Sequence, residues 1–315
     1  MRILTWHIHG SYLHALARIG HEWLVPVRPG RPDRFGGAGR DMPPNVLEID
    51  ADRVRDTRVD VVLFQHERNW TDDQDILSPS QRRGPRIYLE HNAPRPHPTD
   101  SRHVVDDPGV LLVHVTHFNR LMWDCGRTPT TVIEHAVAVD PSARYSGTLA
   151  RGLTLVNELR RRGRVVGEDV FLAARARVPL DLAGIDSERY GGLGSLPYFE
   201  LHRRMGTYRF LFSPIRYTSL PLAVIEAMTI GMPVCALATT ELPTVIENGV
   251  NGYVSCDLDA LLARMRDLLE DAELAARLGA AGRAVARERF SLPRFAQDWN
   301  AAFALVTSRR EALAS

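Results

Sequence analysis

Continuous apolar runs of strand length, separated by helical or loop segments, recur in two series along this 315-residue chain. That alternation restricts it to α/β architectures. The first series is RILTW (2–6), EWLVPV (22–27), DVVLFQH (60–66), PRIYLEH (85–91), GVLLVHVTHF (109–118) and TTVIEH (130–135). A strand with one wet face would alternate apolar and polar residues, so these uninterrupted runs predict parallel strands buried on both faces. The second series is GLTLVN (152–157), VPLDLAG (178–184), YRFLFSP (208–214) and MPVCALA (232–238). Helical segments are expected up to Ile19, over EDVFLAARAR and PLAVIEAM (221–228), with PTVIENG (243–249) completing the last unit. Two successive series imply two Rossmann-like domains, each binding ligands at the carboxyl ends of its parallel strands. The Gly/Pro/Arg-rich stretch 28–44 is expected to be a mobile surface loop, and LRRRGRVVG (159–167) a second loop. From Asp257 to Ala314 the pattern is helical, and RFAQDWNAAFALV carries the apolar spacing of a packed face.

Composition removes several mechanisms. All 39 basic residues are arginine. Without lysine there is no Schiff base for pyridoxal-phosphate or class I aldolase chemistry, and neither a Walker P-loop nor a kinase strand lysine. An anion must be held by guanidinium forks, backbone amides or helix N-termini. The net charge of +1 argues against a nucleic-acid partner. Cys125, Cys235 and Cys256 are odd in number and form no CxxC pair, which predicts a reducing compartment. No apolar run approaches the roughly 20 residues of a membrane span. The N-terminal MRILTWHIHG reads as a first strand and not as a leader, so a soluble cytoplasmic protein is expected, with peripheral membrane contact left open.

Residues 207–255, TYRFLFSPIRYTSLPLAVIEAMTIGMPVCALATTELPTVIENGVNGYVS, carry the most specific signal. They resemble the nucleotide-sugar-binding segment of the GT-B glycosyltransferases, especially the retaining family 4 enzymes. The matching positions are Glu226, Ala227, Met228, Gly231, Pro233, Val234, Pro243, Ile246, Glu247, Gly249, Asn251 and Gly252. The resemblance implies an α/β GT-B fold with two facing Rossmann-like domains. It places an acceptor domain at 1–140, a donor domain at 141–288 and a final helix, 289–315, crossing back to the first domain. It further implies a metal-independent, hexosyltransferase-type enzyme of polysaccharide biosynthesis. Such an enzyme would use no cofactor beyond its co-substrate, a nucleotide diphosphate-sugar, and a saccharide or small-molecule acceptor would be its partner.

A carboxylate in the first turns of a helix can accept hydrogen bonds from both ribose hydroxyls, while the helix N-terminus presents amides to the diphosphate. Glu226 suits the first role, and the backbone around Thr218, Ser219 and Leu220 the second; Pro221 offers no amide. Relatives carry a glutamate eight residues before the ribose glutamate, and Thr218 stands there. A glycine pair expected before Pro243 is replaced by Thr240 and Glu241. Where relatives use an arginine and a lysine for the diphosphate, this chain has only arginine, and Arg162 and Arg164 are the candidates, with Arg160 and Arg161 in reserve. Charge-assisted forks would stabilise the departing diphosphate.

Eleven of the twelve histidines precede residue 136. The resemblance implies that a strand-end histidine of the acceptor domain faces the donor sugar, and His91 in PRIYLEHN occupies that place. Gly10 corresponds to the small residue whose amide approaches the phosphate, and a glycine permits that approach. His7, His9, Thr116 and Asn119 are the acceptor-side candidates. Two alternatives stand beside this reading. HIH at 7–9 with His91, His114 and His117 would suit a zinc hydrolase. Thr218 and the altered glycine pair would suit a nucleotide-binding protein that has lost transfer activity.

Overall fold

The computed structural model describes residues 1–8, 10–39 and 42–314. The chain divides into two compact units, Met1–Ala138 with Leu292–Ser315, and Val139–Ser291.

The first unit is built from β1 (Arg2–Thr5), α1 (Gly10–Leu16), β2 (Glu22–Val27), β3 (Val46–Asp50), β4 (Val61–Phe64), α2 (Glu67–Thr71), α3 (Pro79–Arg82), β5 (Arg86–Glu90), β6 (Val110–His114), α4 (His117–Met122) and β7 (Thr130–Val132). Its strands form one parallel sheet in the order β3-β2-β1-β4-β5-β6-β7. Every residue of β4 and β6 is buried, as continuous apolar runs require. The edge strand β3 is absent from the apolar pattern. Its sequence, VLEID, leaves Leu47, Glu48 and Asp50 exposed, so it lacks the signature of a central strand. Residues 109–118 do not form one strand: β6 stops at His114, and Thr116 caps α4 by accepting from the Asn119 N–H at 3.0 Å.

The stretch 28–44 is not the free surface loop its composition predicts. Phe35 is only 2% exposed, and the Arg28 guanidinium lies 4.1 Å above its ring. Arg34 grips Asp73 with two hydrogen bonds of 2.8 and 3.1 Å, while Arg28 pairs with Asp75 and Arg31 with Glu48. Planar forks on carboxylates give a Gly-rich segment fixed anchor points. Arg40 and Asp41 lie outside the described residues.

The second unit comprises β8 (Leu149–Leu155), α5 (Leu159–Arg162), α6 (Glu168–Arg175), β9 (Leu180–Ala183), α7 (Tyr198–Met205), β10 (Tyr208–Ser213), α8 (Leu222–Ile230), β11 (Val234–Leu237), β12 (Gly252–Ser255), α9 (Leu258–Glu270) and α10 (Ala272–Arg289). Its parallel sheet runs β12-β11-β10-β8-β9. LRRRGRVVG, expected as a loop, folds as α5 followed by a 3-10 turn over Gly163–Val166. PTVIENG is no helix beyond a 3-10 turn at Leu242–Thr244. The buried Asn251 folds the chain between this turn and β12 back on itself. It accepts from the Glu247 N–H at 2.7 Å and donates to the Val245 carbonyl at 3.0 Å.

A final helix, α11 (Leu292–Ala314), belongs to the first unit. Phe295, Trp299, Ala302, Phe303 and Val306 recur at helical spacing and join the core cluster that contains Ile3, Trp23, Leu63 and Val113. No helix among the described residues is long and apolar enough to cross a membrane.

In a doubly wound sheet, ligands sit at the carboxyl ends of the two strands between which the order reverses. That point lies between β1 and β4 in the first unit, and between β8 and β10 in the second.

Candidate functional site

In the second unit the chain leaving β8 passes through Glu158, held left-handed at φ 53°, into α5, the 3-10 turn and Gly167 (φ 79°), which begins α6. The chain leaving β10 runs from Pro214 to Pro221. These two connections are bound together. The N–H groups of Arg216 and Tyr217 donate to the Val165 carbonyl at 3.0 and 3.2 Å, and Arg216 Nη1 donates to the Arg164 carbonyl at 3.0 Å. A Cβ on Gly167 would stand 1.9 Å from the Pro214 oxygen, so only glycine admits this approach.

The side chains at this junction are two cations around one anion. Both Nη atoms of Arg216 donate to Asp169, and Arg164 Nη1 donates to the same carboxylate at 2.6 Å. The Arg216 hydrogen bonds, assisted by the charges of Arg216 and Arg164, hold the Asp169 carboxyl below its ordinary range. Two guanidiniums sharing one carboxylate leave a net positive charge in a fixed orientation. The Arg164 side chain remains 77% exposed, so it is accessible to a ligand. Arg162 ends α5 and is half-buried, while Arg161 pairs with Glu158.

The connection after β10 delivers α8. Pro221 precedes it and no side chain caps it, so the N–H groups of Leu222 and Ala223 have no intrahelical acceptor, while Val224 donates to the Pro221 carbonyl at 3.0 Å. Glu226, one turn further on, is buried and accepts a hydrogen bond from the Tyr198 hydroxyl at 3.2 Å. Burial, then the neighbouring Glu226 charge, pushes the Tyr198 phenol far upward, so it remains a donor. His202 Nδ1 accepts from the Asp140 N–H at 3.2 Å. Its Nε2 therefore carries the proton, and it lies 3.8 Å from the same Glu226 oxygen. The Tyr198 hydroxyl thus orients the carboxylate, and His202, one turn further along α7, lies near it without a hydrogen bond. At the other end of α8, Gly231 (φ 96°) donates to the Ala227 and Met228 carbonyls, which explains the glycine of the EAMTIG motif as a helix stop.

Thr218 is half-exposed, whereas Ser219 and Leu220 are buried. Thr240 adopts φ 52° and donates through Oγ1 to the Ser219 carbonyl at 3.0 Å; Thr239 does the same to Ile215. Of the two positions where the resemblance implies glycines, Thr240 and Glu241, the first joins its neighbour Thr239 in holding the β10–α8 connection in place.

In the first unit the ends of β1, β4 and β5 meet in a hydrogen-bonded chain. Gln65 Nε2 donates to Thr5 Oγ1 at 2.7 Å and to the Trp6 carbonyl at 2.9 Å. Thr5 Oγ1 spends its own proton on the Leu63 carbonyl. Gln65 Oε1 is therefore an acceptor, and His91 Nε2, 2.9 Å away, is protonated and donates to it. His7 donates through Nδ1 to the Gly37 carbonyl at 3.0 Å, beside Gly10 at the start of α1. Thr116 and Asn119 are 1% and 0% exposed and shape the start of α4 instead of lining an open surface. His9 lies outside the described residues.

The histidines of the first unit are divided among separate partners. His91 meets Gln65, His103 meets Glu90 at 3.2 Å, and His114 Nε2 lies 3.4 Å from Cys125 Sγ. Burial lowers the His114 pKa to about 3 and raises that of Cys125 to about 11, so this pair is a neutral imidazole beside a thiol. Among the described residues no three His, Cys, Asp or Glu side chains are grouped to hold a metal ion. Sequence reasoning missed Arg216, Asp169, Gln65, Tyr198 and His202. The one signal available was the position of Arg216 at a strand end inside the motif.

Residues 189–285 match the family model described as Glycosyl transferases group 1. No curated protein matches the chain. The structure of HepE from Anabaena, in complex with UDP-glucose, superposes with a TM-score of 0.73 at 15% identity, covering 98% of this chain and 100% of that one. Sucrose-phosphate synthase from Thermosynechococcus elongatus gives a TM-score of 0.70 at 15% identity, covering 100% of both chains. A glycosyltransferase from Rickettsia africae gives 0.68 at 12% identity, covering 97% of this chain and 98% of that one. At these identities the likeness is one of fold, and the fold is GT-B.

Proposed function

We propose that the chain is a glycosyltransferase that moves a sugar from a nucleotide diphosphate-sugar to a hydroxyl group. One observation carries this reading. The segment with the group 1 pattern folds so that buried Glu226 lies within the first turns of α8, whose uncapped start lies on the connection bound to the Arg164–Asp169–Arg216 cluster, at the reversal of strand order in the second unit. A ribose diol requires a two-oxygen acceptor and a diphosphate requires fixed donors, and the unit offers both.

In this mechanism Glu226 takes the ribose hydroxyls, and Tyr198 keeps its carboxylate oriented. The backbone around Thr218, Ser219 and Leu220 and the first amides of α8 receive the diphosphate together with Arg162, Arg164 and Arg216. As the bond between the anomeric carbon and the diphosphate oxygen breaks, negative charge grows on the leaving oxygen, and preorganised donors stabilise that charge most. The acceptor hydroxyl oxygen bonds to the anomeric carbon as the diphosphate leaves, its proton passes to the departing diphosphate oxygen, and the family pattern implies retention of configuration. His91, with its tautomer fixed by Gln65, orients the donor sugar, and Gly10 lets the backbone approach the phosphate. His7, His9, Thr116 and Asn119 belong to the acceptor side of this reading, the last two as supports of α4. Guanidinium and amide donors do the work a divalent cation would otherwise do. The acceptor is a saccharide or glycoconjugate of polysaccharide synthesis, the transferred group a hexose, and the site of action the cytoplasm.

A thermal-shift screen of UDP-, GDP- and ADP-linked sugars tests this directly. A donor at 100 times its Kd stabilises the folded chain by about 2.7 kcal/mol. One nucleotide series is expected to raise the melting temperature and to support transfer, with NMR of the product reporting the anomer. If none binds, the proposal fails. Binding without turnover over a panel of acceptors would instead favour the reading prompted by Thr218, a nucleotide-binding protein without transfer. His91→Ala is expected to reduce kcat at least tenfold while nucleotide affinity stays within twofold, because this residue is assigned to the sugar and not to the nucleotide. An unchanged kcat would remove His91 from the mechanism.

A further inference from the structure

The geometry points to a second ligand site in the second unit, a groove that takes a small phosphoryl-bearing anion at the end of α8 remote from its first turn. A helix of this length separates its two ends by about 12 Å, so the groove is distinct from the nucleotide site proposed above, and it does not depend on that reading.

The groove has a volume of about 460 Å³, the scale of a small-molecule pocket. Ile230, Ala276 and Ala280 contribute apolar walls, and Arg144, Arg283 and Arg287 supply the charge. None of these three guanidiniums forms an ion pair among the described residues. Arg144 spends Nη1 on the Pro141 and Ala143 carbonyls. Arg283 is half-buried, and its Nε–H is sealed from solvent without an acceptor. Arg86 also has a sealed Nε, but its Nη2 meets Asp107 at 3.0 Å; Arg283 has no such counter-charge. Burial, followed by the charges of Arg287 and Arg144, pushes Arg283 below the usual guanidinium range, whereas Arg31, Arg34, Arg151 and Arg161 are raised by their carboxylate partners.

Three like charges converging on a cleft, none of them paired with a carboxylate among the described residues, make an arrangement that an anion completes. A phosphoryl group fits better than a carboxylate. It brings up to two charges and three acceptor oxygens, enough to serve several forks at once.

The test compares the native chain with Arg283→Gln/Arg287→Gln in phosphate-free, low-salt buffer, by thermal shift and titration calorimetry with inorganic pyrophosphate. The native chain is expected to gain stability on addition of pyrophosphate, and the double variant to bind it at least tenfold more weakly. Without ligand the variant should melt no lower than the native chain, since the charges removed repel one another. Arg287→Gln alone, at an exposed position, gives the same comparison if the double variant fails to fold. Arg164→Gln, which removes a diphosphate contact proposed above, should keep the pyrophosphate response that the groove variants lose. The proposal is overturned if native and groove-variant proteins respond equally, if the native chain does not respond, or if only phosphatidylglycerol vesicles, and not pyrophosphate, are bound.

Discussion

Glu226→Ala is expected to bind the selected nucleotide about 100-fold more weakly than the native chain, because hydrogen bonds to a charged group contribute about 1.5–3 kcal/mol. The carboxylate is well prepared for that role. It is buried, it is oriented by the Tyr198 hydroxyl at 3.2 Å, and the protonated Nε2 of His202 stands 3.8 Å away. The variant should also lose some stability, since the partly buried Tyr198 hydroxyl is deprived of its carboxylate acceptor. Comparison with Tyr198→Phe separates the two effects. That variant removes the orienting donor but leaves the carboxylate, so its loss of affinity should be much smaller. Titration calorimetry with the nucleotide found in the screen measures both. Affinity within twofold of the native value for Glu226→Ala would refute the ribose assignment.

Gly279→Ala is expected to destabilise the protein by about 2 kcal/mol or more, at the upper part of the range for overpacking. From sequence alone the opposite sign is expected. Gly279 lies inside α10, in an alanine-rich stretch, and replacing a mid-helix glycine by alanine favours the helix by about 1 kcal/mol. The tertiary structure reverses this. A Cβ at Gly279 would stand 1.9 Å from the Gly231 carbonyl oxygen and 2.8 Å from its carbon, and these are backbone atoms that cannot swing aside. The end of α8 and the middle of α10 touch backbone to backbone, and glycine is what permits it. A melting temperature equal to or above that of the native chain would show that the contact does not exist.

The two substitutions mark how far the sequence can be read. Glu226 is legible because its neighbours Ala227, Met228, Gly231 and Pro233 form an unbroken local pattern, and local patterns survive in the sequence. Tyr198, which orients it, and His202 beside it lie on α7, a short helix with no apolar run to announce it. Their relation to Glu226 exists only across space. His91 is visible as a strand-end histidine, but its partner Gln65 and the resulting Nε2–H tautomer depend on three adjacent strands. The arginine-rich stretch after β8 stands out by composition, while Arg216, which braces Asp169 with both Nη atoms, comes from a different strand end. Edge strand β3 escapes notice for a simpler reason. With one side unpaired and most of its side chains wet, VLEID never needed the apolar run that betrays the central strands.

The sequence alone determined two parallel-sheet α/β units, because strands buried on both faces must be apolar along their whole length, and that requirement is written residue by residue. It also determined that any anion site in this chain relies on arginine, since there is no lysine to recruit. Only the tertiary structure decided which arginines share a carboxylate and which converge without one. It also decided which glycine must remain bare and which donor aims the one buried glutamate of α8. These depend on distances between residues far apart in the chain. Local pattern limits the elements a segment can form, and packing fixes what those elements bring together.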